Sequence, residues 1–483
     1  MHRPRLAGLA LILCLAAAPA FAKAHKAAAP PPAPPPPDPV AVATGLRDKA
    51  LNDPTAYDFV ESLTTEVGPR LAGTVQAERG KDWALAKLKA LGFTDVHAEP
   101  FPITAWVRGA ESAEVTAPFP QKLMILGLGG SVPTPPEGIE AEIVLFHSYA
   151  DLLAAAPGSL AGKIAVVTQP MPRTQDGSGY GWNNRARTRG PVEAARRGAI
   201  AYLTRSISPS DGRLPHTGKV WYVPDATKIP AAALGVPDAE LIDHMALRGK
   251  PIRIRLVLNS TEIPNAPAWN LVGDIKGSSA PDEIVAIGGH MDSWDPGQGA
   301  IDDGAGMAVT AAAATLIGEL PRHPRRTVRL VLFGAEEMDY ASKPFADAHQ
   351  GEASRYVAVS ESDTGSGPLW TLSLPKGALD APALKAVPSL MGPLRIIVAD
   401  QPAQFSGSDF AELERTGVPA FSFRPDASRY FDIHHSADDT LNKVDRADLN
   451  QSTAAFAALV YLIADSDIDF RALAKGQPAP SRP

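Results

Sequence analysis

Apolar residues recur at helical spacing over residues 58–67 and again over 77–91, and Gly92 directly after the second run is a natural helix-ending residue. The helical pattern begins at about Val40, and residues 94–106 then read as a strand. From 118 to 263 the texture changes. Short apolar runs at 143–146, 164–167 and 199–203 predict strands, with one helix near 192–198 and a long glycine- and arginine-rich loop over 177–190. Beyond Pro264, strands and helices alternate. Residues 283–288, 327–333, 356–360, 395–398 and 420–423 read as strands, 304–320 as an alanine-rich helix and 449–464 as a closing helix. This order predicts the α/β class: a three-layer α/β/α sandwich around a mixed, largely parallel sheet, formed by residues 40–117 and 264–470. The β-rich stretch 118–263 reads as a separate domain inserted into it, and 471–483 as a flexible tail. In such sheets, sites form beyond the carboxyl ends of the strands.

The two ends of the chain change the picture in a different way. Arg3 and Arg5 precede an apolar run over 6–18, and Ala20-Phe21-Ala22 is a small-residue cleavage site, so residues 1–22 read as a signal peptide. Residues 23–39, almost wholly alanine and proline, read as a disordered tether. The expected destination is secreted, periplasmic or extracellular. No later segment reads as long and apolar enough to span a bilayer. Cys14 is the only cysteine and would leave with the signal, which excludes disulfides, thiolate metal sites and a cysteine nucleophile from the mature chain. A formal net charge of -7 without a basic run argues against nucleic acid as a partner. The length of 483 residues, too great for one ordinary core, favours two structural units.

Candidate chemistry gathers where the predicted strands end. The strand 283–288 runs into His290 and Asp292, two residues apart and therefore on one face of an extended chain. Asp292 is placed to accept the second ring nitrogen of a metal-binding His290. Asp302 and Asp303 open the alanine-rich helix, where they read equally as helix caps. Glu336 and Glu337 follow the strand 327–333, and Glu361 and Asp363 follow 356–360. Adjacent carboxylates cannot share one role in one geometry, so one of Glu336 and Glu337 can bind metal while the other faces a substrate water. His434 and His435 precede Asp438 and Asp439. Three acidic strand ends and a histidine pair, without cysteine, make a donor set for zinc or similar ions.

These segments resemble the family of co-catalytic dinuclear zinc aminopeptidases and carboxypeptidases. The resemblance rests on His290-Met291-Asp292-Ser293-Trp294-Asp295 with Gly297-Gln298-Gly299, then Asp302-Asp303-Gly304, Ala335-Glu336-Glu337, Glu361-Ser362-Asp363 and His434-His435-Ser436, in that order. Residues 68–73 and 215–218 also fit, and the likeness spans about 45–465. It implies two zinc ions bridged by Asp302, with His290 and Asp363 completing one position and Glu337 and His435 the other. It also implies Glu336 as general base, Asp292 as the partner of His290, a cis peptide between Asp302 and Asp303, and a protease-associated domain over the cleft. His435 fits the family's ligand position, one residue before a serine and four before an acid. His434 then either donates to the tetrahedral intermediate or simply packs. The implied activity is an exopeptidase on dipeptides or short peptides with free ends, with a homodimer as the implied assembly. A glutaminyl-peptide cyclase on the same fold and a non-catalytic ligand-binding ectodomain are the alternative readings.

Overall fold

The computed structural model describes residues 38–474. The expected signal peptide, the tether up to Pro37 and the tail from Lys475 lie outside the described residues. Three helices come first: α1 (Pro39–Ala50), α2 (Thr55–Glu66) and α3 (Val75–Ala90). α1 starts where the Asp38 carboxylate accepts the Val40 N–H, with Pro39 in the first helical position. Thr74 caps α3 in the same way through the Ala77 N–H. Gly92 follows at φ 88°, the left-handed conformation that ends a helix.

The strands are β1 (Thr94–Ala117), β2 (Gln121–Leu123), β3 (Ile125–Gly127), β4 (Ile139–Phe146), β5 (Ile164–Val167), β6 (Ala201–Arg205), β7 (Ala231–Leu234), β8 (Arg253–Ile275), β9 (Ala280–His290), β10 (Arg326–Phe333), β11 (Tyr356–Glu361), β12 (Leu369–Ser373), β13 (Ile397–Val398) and β14 (Ser422–Pro425). One large mixed sheet runs β11-β9-β10-β8-β4-β5-β6-β7-β3, with β1 on β8 and β2 on β1. Its two parallel blocks, β11-β9-β10 and β4-β5-β6-β7, are joined through β8, which is antiparallel to both neighbours. β1 and β8 pair antiparallel from Thr94↔Asp274 to Ala117↔Arg253. This ribbon carries the chain out to the 118–263 segment and back.

Beside β9 and β10 lies the alanine-rich helix Ala305–Gly318, buried along nearly its whole length. Its small side chains allow close approach. A Cβ at Gly306 would lie 1.7 Å from the Ser362 carbonyl, so only glycine fits where this helix meets the end of β11. The closing helix Arg446–Asp465, capped by Asp445, packs against it.

Four expectations need correction. Residues 177–190 are not a loop: they form the short helices Ser178–Asn183 and Arg185–Thr188, leading into Gly190–Arg196. Tertiary contacts organise them, with Tyr180 stacked 4.6 Å from Phe431, and the glycines conceal this in the sequence. The strands expected at 395–398 and 420–423 are β13 and β14, which join a separate three-stranded sheet around β12; the second run meets the main sheet only through a single bridge from Ala420 to Val359 on β11. An apolar run does not reveal which neighbour supplies its hydrogen bonds. Residues 471–474 belong to the helix Phe470–Ala474 rather than to a flexible tail, because Phe470 is fully buried. The stretch Ala300–Gly318 does have the length and composition of a membrane span, yet it is wholly buried as a core helix.

Arg329 on β10 sits opposite Asp274 on β8 and grips it with two hydrogen bonds, 2.8 and 3.0 Å. Burial pushes the Asp274 carboxyl up, but Arg329 and Lys276 outweigh it and hold it below the usual range. The stability it contributes is therefore present above about pH 4 and lost as pH falls through the depressed value. Arg329→Met should cost about 3–5 kcal/mol in denaturant unfolding at neutral pH, because it leaves a buried carboxylate with only Lys276, itself partly in water, as a cation. A cost below about 1 kcal/mol, as for an exposed pair, would remove this contact from the account.

Candidate metal centre

Parallel pairing aligns the ends of three strands. His290 ends β9 opposite Phe333 at the end of β10, so Glu336 and Glu337 emerge beside it. Glu361 ends β11 opposite Gly288, which brings Asp363 to the same edge. Asp302 enters from the turn that leads into the alanine-rich helix, and the one-turn helix Tyr430–Asp432 delivers His434 and His435.

Asp302 lies at the centre. Its Oδ1 is 3.3 Å from His290 Nε2, which is itself 3.5 Å from Asp363 Oδ1. Its Oδ2 is 3.2 Å from His435 Nε2, which is 3.0 Å from Glu337 Oε2. His434 Nε2 also faces Asp302 Oδ2, at 3.6 Å, with its ring stacked 3.5 Å from that of His435. The Asp302–Asp303 peptide is cis. The five residues expected as metal ligands, and His434 with them, thus lie within reach of one another, whereas Asp438 turns away to pair with Lys443.

The tautomers follow from backbone carbonyls, which only accept. His290 Nδ1 lies 2.9 Å from the Asp292 carbonyl and His435 Nδ1 lies 3.2 Å from the Thr217 carbonyl, so both Nδ1 atoms carry the proton. Both Nε2 atoms then face the carboxylates, where a metal ion could replace their protons. The Asp292 carboxylate is 3.7 Å from His290 Nδ1, and its Oδ1 accepts the Glu336 N–H at 3.0 Å. Asp292 therefore reaches His290 through its carbonyl and Glu336 through its side chain.

The donors fit zinc: imidazole nitrogens and carboxylate oxygens, without thiols. The buried Asp302 Oδ2 and Glu337 Oε1 have no hydrogen-bond partner among the described residues. Asp302, Glu337, His435, Trp294 and Asp439 line a cavity of about 10 Å³ between them. Electrostatics point the same way. Burial works against a charge on His290 and His435, yet the carboxylates around them raise both well above the ordinary imidazole range. Burial also raises Asp363, Glu336 and Glu337, and their neighbouring carboxylates add to it. A buried cluster of this kind calls for positive charge, from protons or from metal.

Sequence reasoning did not assign the residues that hold this cluster in place. Arg70 is fully buried and donates to the carbonyls of Met291, Gln298 and Gly299, so it ties down the loop after His290. Burial pulls its pKa down to about 10. Asp439 accepts the N–H groups of Ile301 (2.7 Å) and Asp302 (3.2 Å), and Asp303 accepts those of His290 and Gly306. Ser408 donates to Glu336 Oε1 at 2.9 Å. The motifs at 68–73 and 215–218 and the acid four residues after His435 were visible signals; nothing in the sequence pointed to Ser408.

A mixed α/β sheet with this donor set at adjoining strand ends fits a metallopeptidase. The chain belongs to peptidase family M28. The profile described as "Peptidase family M28" matches residues 270–460. Carboxypeptidase Q of Bos taurus is 38% identical over 417 residues, covering 85% of each chain, and that of Rattus norvegicus is 38% identical over 413 residues, covering 85% and 86%. The solved structure of a peptidase M28 precursor from Shewanella amazonensis is 41% identical and covers 92% of this chain and 99% of its own, with a TM-score of 0.87. A zinc aminopeptidase from Bacillus subtilis shares the fold at 18% identity and a TM-score of 0.62, covering 86% and 96%.

Asp439→Ala strands two buried N–H groups beside Asp302. It should destabilise the chain by about 2–6 kcal/mol in chemical denaturation, at about 1–3 kcal/mol per unsatisfied group. An unchanged midpoint and slope would show that Asp439 does not anchor this turn.

Proposed function

We propose that the chain is a dinuclear zinc exopeptidase that hydrolyses dipeptides or short peptides with free ends. One observation carries this reading: Asp302 offers its two oxygens to two separate donor pairs, His290 with Asp363 and His435 with Glu337. These five residues would hold the two ions, with Asp302 as the bridge. When bound, zinc polarises a scissile carbonyl and lowers the pKa of water. Carboxypeptidase Q relatives similar over most of both chains support the exopeptidase assignment.

The chain's own groups then have distinct tasks. Glu336 keeps 22% of its side chain exposed beside the donors, and its Oε2 is 4.0 Å from His290 Nε2. Burial, opposed by His290 but reinforced by Asp363 and Glu337, raises its pKa in the metal-free chain; its place beside the donors suits a base that accepts a proton at Oε2 and returns it to the leaving amine. Ser408 and Asp292 fix this carboxylate through its Oε1 and its backbone N–H. His435 is favoured over His434 as the ligand because its Nδ1 has a carbonyl partner, whereas His434 Nδ1 has none among the described residues. Burial and the neighbouring His435 keep His434 neutral, so its ring can present one N–H to the developing oxyanion. Residues 118–263 act as the domain over the cleft, and the N-terminal signal pattern directs the enzyme to the periplasm or the extracellular space.

The test is zinc content together with dipeptide hydrolysis in one sample, before and after chelation. Two ions per chain, with activity removed by chelator and restored by zinc, is the expected result. One ion with cyclisation of N-terminal glutamine, or no ion at all, would overturn it. Glu336→Gln should keep both ions and lose about 10²–10⁴ in kcat. Near-normal turnover in that variant would take the base role from Glu336.

A further inference from the structure

The 118–263 segment reaches the metal centre. The backbone around Thr217 lies alongside His434 and His435. The Thr217 N–H donates to the His435 carbonyl at 3.0 Å, and His435 Nδ1 donates back to the Thr217 carbonyl at 3.2 Å. His216 Nδ1 donates to the His434 carbonyl at 2.6 Å. His435 has φ 58°, a left-handed conformation that a side chain other than glycine seldom adopts, and these backbone bonds hold it there.

Thr217 is itself fixed from behind. Arg187, 5% exposed, donates through Nη1 to the same Thr217 carbonyl at 3.1 Å, and through Nη2 to the Tyr180 hydroxyl. Tyr180 packs edge-on against His434, with ring centres 5.0 Å apart. Gly218 lies directly over the guanidinium, where a Cβ would come within 2.4 Å of the central carbon. The Thr217 hydroxyl, donating to the Gly127 carbonyl at 2.7 Å, accepts Arg108 Nη2 at 3.3 Å. One carbonyl oxygen thus accepts both the buried guanidinium and the ring N–H of His435.

We propose that Arg187 is a positioning residue for His435. Acting through the Thr217 carbonyl, it fixes the Nδ1–H tautomer and the ring orientation, so that the 118–263 segment sets the affinity of the second metal position. The inference rests on the dinuclear zinc reading. It makes the metal centre dependent on a side chain from outside the 40–117 and 264–470 regions. Partners at this distance from a metal typically change its affinity by about 10–100-fold when removed.

The metal-free chain is titrated with Zn²⁺ against a competing chelating dye. The unaltered chain is expected to take two ions. Arg187→Met is expected to bind one ion as before and the other about 10–100-fold more weakly. Arg187→Lys, which keeps a donor in reach of the carbonyl, should recover part of that loss. In a His435→Ala background, adding Arg187→Met should change the affinity of the remaining ion no further. Unchanged affinities in Arg187→Met, equal weakening of both ions, or a further loss in the His435→Ala background would each overturn the proposal. If Arg187→Met does not fold, Tyr180→Phe replaces it, with a smaller loss at the second ion expected and no loss overturning. A chain that binds no zinc before any substitution would overturn the dinuclear reading itself, whereas two ions with identical variants would overturn only this inference.

Discussion

A buried concentration of negative charge dominates the molecule. Asp302, Asp303, Glu337, Glu361, Asp409 and Asp439 are all buried within one region, with Glu336 and Asp363 partly so. Removing carboxylates from water is expensive, and each needs hydrogen bonds or a cation in return. Much of the local architecture supplies them. Backbone N–H groups serve Asp303, Asp439, Glu361 and Asp292, and Arg70 brings a permanent charge beneath the loop that follows His290. Where these run out, burial pushes the acids upward: Asp439 to about 7 and Glu361 to about 8. The remaining deficit centres on Asp302, where both histidines turn their Nε2 atoms inward.

The fold makes this concentration feasible. Three parallel strands end at one edge in matched register, so ligands far apart in sequence meet without long loops. Close approach depends on missing side chains: Gly306 lets the alanine-rich helix lie against the Ser362 carbonyl beside Asp363. On the other side, the long β1/β8 ribbon carries 118–263 to a position where Thr217 meets His435 and Lys219 donates to the Met338 carbonyl, close after Glu337. Arg108 on the ribbon binds Asp295, Glu111 and Thr217 together, so the ribbon, the inserted segment and the loop after His290 are linked through one guanidinium.

Some of this was legible along the chain because it is local. Apolar periodicity and capping residues fixed α2, α3 and the alanine-rich helix to within a few residues. The strand ends were legible because a buried run that stops at His290, Glu336 or Asp363 has few bland explanations when several occur together. The helices at 178–188 were not legible, because the glycines mask a short helical run without apolar periodicity and Tyr180 is ordered by stacking on the distant Phe431. β13 and β14 were found as strands but expected in the main sheet, which only Ala420 reaches, since hydrogen-bond partners are a long-range property.

The sequence by itself determined the class of fold, the donor types and the identity of the residues that could meet, because residue chemistry and periodicity are written locally. Only the tertiary structure decided how they meet. It set the two faces of Asp302, the protonated nitrogen on each histidine, and the division of Asp292 between a carbonyl for His290 and a carboxylate for Glu336. It alone brought Arg187 to Thr217, 30 positions on, Thr217 to His435, 218 positions on, and Ser408 to Glu336, 72 positions back, because hydrogen bonds across such separations depend on the path of the backbone through space.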